Sequence, residues 1–383
     1  MKICVIICEY NPFHNGHKYL LEEAKKRSNA DFVLCLMSGN FVQRGEAAIL
    51  EKHVRAKHAI LCGADAVIEL PTVFATSNAE IFARGAVSVL TKIPNVTHLA
   101  FGAELADKEA FLQAANALLV EPKCVSETLK ELTASGMGYA KAIATARSSI
   151  AEKRLFESPN NILGIEYTKA LCSENANVEI LPIERVGCGH TETTINGTFA
   201  SASAVRAALR ENRQESLPDC LPECVFHDLK NATEANLDIC EKIAILKVTP
   251  QEIADTLDCT EGLENALIRA TLNTERLEKT LSSPRYTAAR IRRIALQNLL
   301  GIRENLIRKC LSDNLYLFPL AYKKDSADLL SVLSKASIPF LSSGKAKAEL
   351  SGAAAEAYAI DELAERVYAV LQKTENVNSP IIL

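Results

Sequence analysis

Four short, nearly all-apolar runs punctuate the first hundred residues, and helix-length amphipathic segments separate them. The runs are Lys2 to Cys8, Asp31 to Met37, Ala66 to Leu70 and His98 to Phe101. His17 to Arg27, a stretch from about Leu50 to Cys62, and Ala79 to Leu90 carry apolar residues at helical spacing. A strand that is apolar on both faces has to be covered on both faces, which calls for a parallel sheet between two layers of helix. The strand-helix alternation supplies those layers.

The pattern continues with an Ala- and Leu-rich helical stretch over 107–150, a short strand from Glu179 to Ile183, and a helix expected to start at Ser203. It changes after about 216. Helical segments then dominate to about 312, and short strands return at Tyr316 to Tyr322, Ile338 to Leu341 and Pro380 to Leu383. A boundary is expected near Glu215, dividing the 383 residues into 1–215 and 216–383. The expected fold is α/β, a Rossmann-like parallel-sheet domain followed by a mainly helical C-terminal region with a small α/β end.

The first strand runs directly into Glu9-Tyr10-Asn11-Pro12-Phe13-His14-Asn15-Gly16-His17, where a helix begins. A helix N-terminus offers unpaired N–H groups and positive dipole potential, both of which attract phosphate. Gly16 lets a ligand approach the backbone. His14 and His17 share one side of the first turn and can donate to phosphate oxygens as charge develops on leaving pyrophosphate. The other reading is a turn with two surface histidines. The tetrad resembles the HxGH signature of the nucleotidyltransferase superfamily. Phe199-Ala200-Ser201-Ala202-Ser203-Ala204-Val205-Arg206 resembles that superfamily's second signature. There Ser203 is expected to cap a helix and, with Arg206, to reach the β- and γ-phosphates.

Longer strings extend the likeness: MSGNFVQRGE (37–46), GADAVIELP (63–71), NAEIFARGAV (78–87), FGAE (101–104), SPNNILGIEYTKAL (158–171), PIERVG (182–187), EGLEN (261–265) and RYTAARIRRIALQNLLGI (285–302). With EYNPFHNGH (9–17) they make the chain resemble the bacterial tRNA(Met) cytidine acetate ligase family over nearly its whole length. The resemblance implies a reaction in which acetate and ATP form acetyl-adenylate and pyrophosphate. The acetyl group then passes to N4 of the wobble cytidine of elongator tRNA(Met), leaving AMP. It further implies an ATP site of Ile7, Cys8, Glu9, Tyr10, Asn11, Pro12, Phe13, His14, Asn15, Gly16, His17, Lys18, Tyr19 and Leu20, with Gly102, Asn161 and Arg185. Read as residues alone, Gly102 also fits a strand-end turn, Asn161 a helix N-cap and Arg185 a surface ion pair. The chain departs from the family pattern at Ala47, in Thr76-Ser77-Asn78, and in Phe318-Pro319-Leu320-Ala321-Tyr322, which lacks an expected basic residue and glycine.

The formal net charge is -4, so any nucleic-acid surface has to be a local patch. Arg285, Arg290, Arg292 and Arg293 supply one. Arg290, Arg293 and Gln297 are expected on the outer face of a helix whose apolar stripe is Ile291, Ile294 and Leu299, where they would touch tRNA phosphates. A solvated charged helix is the alternative. Tyr286 could stack on a base or pack, and Lys52, Arg55 and Lys57 read as a smaller solvated cluster.

The twelve cysteines are scattered, and Cys220 with Cys224 has no second pair at zinc-finger spacing. Free thiols and no metal site are therefore expected. Such thiols suit a reducing cytoplasm, and no run approaches the ~20 apolar residues of a membrane span. ATP, with Mg2+ carried on it, and acetate are the expected small molecules. Coenzyme A is not expected, because no second glycine-rich pyrophosphate loop is present, and no protein partner is evident. Two other functions fit parts of the pattern: a small-molecule nucleotidyltransferase acting on a phosphate-bearing acceptor, and a non-catalytic nucleotide- or RNA-binding module.

Overall fold

The computed structural model describes residues 1–120, 122–186, 197–230, 232–374 and 379–383, with 139 and 140 described by backbone alone. Gly187, which closes the PIERVG string, lies outside the described residues.

The strands of the main sheet are β1 (Ile3–Cys8), β2 (Phe32–Ser38), β3 (Ala66–Leu70), β4 (Val96–Ala103), β5 (Glu179–Glu184), β6 (Phe318–Tyr322) and β7 (Ile381–Ile382). They lie in the order β5-β4-β1-β2-β3-β6-β7. Every neighbouring pair is parallel except β3 with β6. The four apolar runs of the first hundred residues are thus the centre of the sheet, and Ile3, Val5, Leu34 and Val67 are completely enclosed. From β1 the chain moves outward through β2 and β3, then crosses back to lay β4 on the other side of β1. That reversal opens a crevice beyond the carboxyl ends of β1 and β4, the place where open α/β sheets bind ligands.

Six helices matter for the site: α1 (Asn15–Ser28), α2 (Lys52–Leu61), α3 (Ala79–Leu90), α4 (Pro159–Ser173), α5 (Ala202–Arg210) and α6 (Ala288–Leu300). In α1 the last turn carries Lys25, Lys26 and Arg27, which suits the negative end of the helix dipole, and Asn29 closes it in the left-handed conformation, φ 47°. Leu21 and Ala24 bury the sheet-facing side.

The chain after Glu215 divides between two cores. Leu217, Leu221, Val225 and Leu229 join the main core, and so do Leu315, Leu317, Leu320 and Leu333 much later. Between them Ile245, Ile253, Leu263, Leu267, Leu277, Ile291 and Ile294 build a small second core. Helix α6 serves both, giving Ile291, Ile294 and Ala295 to the small core and Leu296 and Leu300 to the large one. The sheet edge explains the return of the chain. β3 needs a partner for its outer ladder, and β6 pairs with it in antiparallel register from Ala66–Tyr322 to Glu69–Phe318. The divergent Phe318 to Tyr322 segment is therefore a core strand, buried up to Ala321. Ile338 to Leu341 forms only a single bridge, Leu317 to Phe340.

Among the described residues every cysteine is a free thiol. No helix among them is long and apolar enough to cross a membrane.

Candidate active site

A cleft of about 390 Å³ opens at the carboxyl ends of β1, β4 and β5. That is large enough for a nucleotide. Ile7, Cys8, Glu9, Tyr10 and Asn11 enter it from β1, and His14, Gly16, His17, Tyr19 and Leu20 from the start of α1. Gly102 comes from β4, Arg185 from just past β5, and Phe199, Ala200, Ser201, Ser203 and Arg206 from the turn into α5. The two signature segments, far apart in sequence, thus face each other across one cleft.

The turn out of β1 bends sharply at Tyr10, which takes the left-handed conformation with φ 50°. His14 then caps α1. Its Nδ1 accepts the Gly16 N–H at 3.1 Å, and the Nδ1 of His17 accepts the His14 N–H at 3.3 Å. The two rings stack with centroids 3.7 Å apart. A Cβ on residue 16 would stand 2.9 Å from the His14 ring, so glycine is what permits the fold-back. Burial, reinforced by the Arg185 charge, pushes the His14 pKa down to about 3. Burial and the neighbouring His14 push that of His17 well below its usual value. Both imidazoles are therefore neutral. Each has its Nδ1 occupied as an acceptor, which places the remaining proton on Nε2 as a donor. The site offers two fixed N–H donors that carry no net charge.

Cations surround this pair. Arg206 reaches back to donate to the Asn11 carbonyl at 2.6 Å. Arg185 lies 3.4 Å from Glu104, and its stem passes over Gly102, where a Cβ would touch it at 3.4 Å. The ion pair expected as the alternative for Arg185 is present, yet the side chain still lines the cleft. Arg44, brought by the two-stranded ribbon of Phe41–Val42 and Glu46–Ala47, lines it too. Glu9, Glu46 and Glu184 are the carboxylates among the lining residues, and Glu9 is the one held at the end of β1. One of its oxygens accepts the Gln43 N–H at 2.7 Å, and burial raises its pKa against the pull of that N–H and of Arg206.

Several expected placements change. The cap of α5 is Ser201, whose hydroxyl accepts the Ala204 N–H at 3.0 Å, and not Ser203. The cap falls two residues earlier than expected, which leaves Ser203 within the first turn and lining the cleft. Asn161 lies inside α4, which Ser158 caps. It is 1% exposed, and its Oδ1 receives the N–H groups of Glu104 and Leu105 at 2.9 and 3.3 Å. It holds the end of β4, and the neighbouring Asn160 is the one that lines the cleft. Pro12 and Phe13 are core, Asn15 ties α1 to the carbonyls of Thr198 and Asp219, and Lys18 is exposed.

The arginine helix turns inward rather than outward. Gln297 is 1% exposed and donates to the Thr76 carbonyl at 2.9 Å. Arg293 meets Asp258 at 3.6 Å, and Arg290 donates to the Asp258 carbonyl and the Thr260 hydroxyl. Arg292 donates to the Arg44 carbonyl and pairs with Glu46 at 3.1 Å. Arg285 alone of the four is largely exposed, paired with Glu261 at 2.6 Å. Tyr286 packs at the small core under the guanidinium of Arg290. Periodicity misplaced this face because the helix touches protein on more than one side, so its arginines became docking groups.

Of the expected solvated cluster, Lys52 and Arg55 are buried, while Lys57 stays at the surface and meets Asp228 at 3.7 Å. Lys52 pairs with Glu69 at 2.9 Å and Glu365 at 3.2 Å. Arg55 is completely enclosed and donates to the carbonyls of Leu50, Glu9, Ser38 and Gly39. Those carbonyls are the free ends of β1 and β2 and the loop beside them. No sequence pattern distinguishes a buried cation of this kind from a solvated one, because its partners are backbone atoms.

A parallel α/β domain with an HxGH turn at the end of its first strand, facing a Ser-Ala-Ser…Arg helix start, defines a nucleotidyltransferase-type nucleotide site. The family model described as HIGH nucleotidyl transferase matches residues 1–380. A tRNA(Met) cytidine acetate ligase of Clostridium kluyveri is 34% identical over 412 aligned positions, covering 100% of this chain and 99% of that one. One from Thermoanaerobacter sp. is 36% identical over 88% of this chain and 87% of its own. The crystal structure of Thermotoga maritima TmcAL superposes with a TM-score of 0.90 at 29% identity, covering all of both chains. The same protein bound with alpha-thio ATP superposes at 0.88. The chain belongs to the tRNA(Met) cytidine acetate ligase family, within the HIGH nucleotidyl transferases.

Proposed function

We propose that this protein uses ATP and acetate to acetylate N4 of the wobble cytidine, C34, of elongator tRNA(Met). An acetate oxygen attacks the α-phosphate and pyrophosphate leaves. The cytidine amine then attacks the carbonyl of the acetyl-adenylate, and AMP leaves as the amine gives up a proton. The observation that carries this reading is the pair of neutral imidazoles at the N-terminus of α1, with Arg206 and Arg185 lining the same cleft.

His14 and His17 donate Nε2–H to the phosphates where charge builds, as fixed donors in a site that need not reorganise. Ser203 and Arg206 take the β- and γ-phosphates, and Arg185, beside Gly102, faces the other end of the nucleotide. Mg2+ arrives on the triphosphate, and coenzyme A has no part. The region after Glu215 presents the tRNA. Arg285 is its most available phosphate contact, and Arg290, Arg292 and Arg293 serve chiefly to dock helix α6. A reducing cytoplasm is the compartment that suits these free thiols.

Nucleoside analysis of tRNA incubated with the protein, ATP and labelled acetate tests this directly. N4-acetylcytidine should form, with one AMP released per acetyl group. Labelling from acetyl-coenzyme A but not from acetate plus ATP would overturn it.

A further inference from the structure

Glu46 stands between two guanidinium groups that belong to different parts of the chain. Its Oε1 is 3.1 Å from Nη2 of Arg292, on helix α6. Its Oε2 is 3.9 Å from Nη2 of Arg206, in the nucleotide cleft. All three side chains are partly withdrawn from water, at 18%, 31% and 14% exposure for Arg292, Glu46 and Arg206. At such sites charges act on one another more strongly than across open solvent.

This arrangement is set by backbone contact and not by long side chains alone. Gly45 has φ 70°, and a Cβ there would come within 2.5 Å of the Arg293 nitrogen and 2.6 Å of the Arg292 carbonyl carbon. The loop therefore lies directly on α6. The Nε of Arg292 adds a bond to the Arg44 carbonyl at 3.1 Å. Because α6 packs in both cores, the seating of the helical region fixes where the Arg292 charge falls.

We propose that Arg292 is a positioning residue for nucleotide binding: it neutralises Glu46, so that Arg206 remains available to the triphosphate. Glu46 is an anion at the edge of a site for a polyanion. Without Arg292 its charge is balanced by Arg206, and the triphosphate has to displace it. Arg44, Glu9 and the weaker Glu234 also act on Arg206 and stay in place in every variant, so what changes is the Glu46–Arg292 pair. The helical region thereby communicates with the phosphate clamp through one carboxylate. This proposal rests on the reading of Arg206 as a phosphate ligand.

The test is the KM for ATP in acetate-dependent pyrophosphate exchange, measured for Arg292→Gln, Glu46→Gln, the double variant and Arg206→Ala. Arg292→Gln keeps the stem and a donor while removing the charge, and Arg292→Lys keeps the charge. Arg292→Gln should raise the KM for ATP about tenfold with kcat changed less, and Arg292→Lys should restore most of the loss. Glu46→Gln should lower the KM. The double variant should match Glu46→Gln within about twofold, because no carboxylate is left to compete. A merely structural role for Arg292 would leave the double variant as weak as Arg292→Gln, and that result overturns the proposal. So does an unchanged KM in Arg292→Gln. If Arg206→Ala binds ATP like the wild type, the reading of Arg206 fails first and the proposal falls with it. Absence of any acetate-dependent exchange in the wild type would instead strike the proposed function.

Discussion

The imidazole rings of His14 and His17 stack 3.7 Å apart, and each turns its Nδ1 to a backbone N–H, Gly16 for the first and His14 for the second. The local fold of the helix start thereby chooses the tautomer. Both rings are left with Nε2–H as a donor to an incoming phosphate. The ligand needs no protonated histidine, since the positive charge of the site comes from Arg44, Arg185, Arg206 and the helix dipole.

Removal of either donor should slow adenylate formation. His17→Ala should reduce acetate-dependent pyrophosphate exchange by ~100- to 1000-fold, the usual cost of one transition-state donor. His14→Ala should do the same and also lose a helix cap, for about 1 kcal/mol of stability. Exchange rates and thermal melts of both variants check this. Near-wild-type exchange by either would remove the histidines from the mechanism.

Acid should destabilise the fold through the same pair. The His14 pKa is pushed down to about 3, from an ordinary value near 6.5, and His17 is shifted in the same direction. Between those values the unfolded chain binds a proton that the folded one refuses. Stability contributed here is therefore complete above about pH 6.5 and is lost as pH falls toward 3, at up to ~1.4 kcal/mol per pH unit for each histidine. The wild type should lose more stability between pH 7 and pH 5 than His14→Asn, which cannot take up that proton. Equal losses in the two proteins would contradict the assignment. Activity should show no limb from histidine ionisation between pH 6 and 8.

Arg55→Ala should be among the more damaging substitutions in the chain. It would leave the carbonyls of Leu50, Glu9, Ser38 and Gly39 without their donor. A buried polar group left unpaired costs about 1–3 kcal/mol, so a loss of at least ~3 kcal/mol is expected, together with weaker ATP binding as the end of β1 loosens. A melt within a degree of the wild type would show that water replaces the guanidinium at no cost.

Arg285 and the Arg290–Arg293 pair should separate RNA contact from docking. Arg285→Glu breaks one exposed ion pair, worth under ~1 kcal/mol, and should weaken tRNA binding while lowering its salt slope by about one unit. The Arg290→Glu, Arg293→Glu variant places new carboxylates beside Asp258 and should unseat the small core. Its melting transition should drop or split, and pyrophosphate exchange should fall with it. A double variant that melts normally and loses only tRNA affinity would restore the reading of these side chains as an RNA stripe.

Much of the fold could be read from local pattern. β1, β2, β3 and β4 were legible because a strand covered on both faces has to be apolar throughout, and that leaves a mark in a single segment. The nucleotide site was legible for a related reason: strand, turn, glycine and helix start are consecutive in the chain. The placements of Asn161 and Gln297 differ from the expectation because their environments are supplied by segments tens or hundreds of residues away, and the cap expected at Ser203 falls at Ser201.

The sequence by itself therefore determined the central parallel sheet, the HxGH turn and the family. Each of these is written in contiguous residues whose chemistry is local. Tertiary structure decided which cations reach the cleft. Arg55 and Lys52 lie in the interior, Arg290, Arg292 and Arg293 hold α6, and Arg185 and Arg206 line the cleft, although all look alike in the sequence. The physical reason is that a guanidinium or ammonium group takes its role from the acceptors around it. Those acceptors, most of them backbone carbonyls and distant carboxylates, come together only when the chain has folded and β6 has returned to the sheet edge.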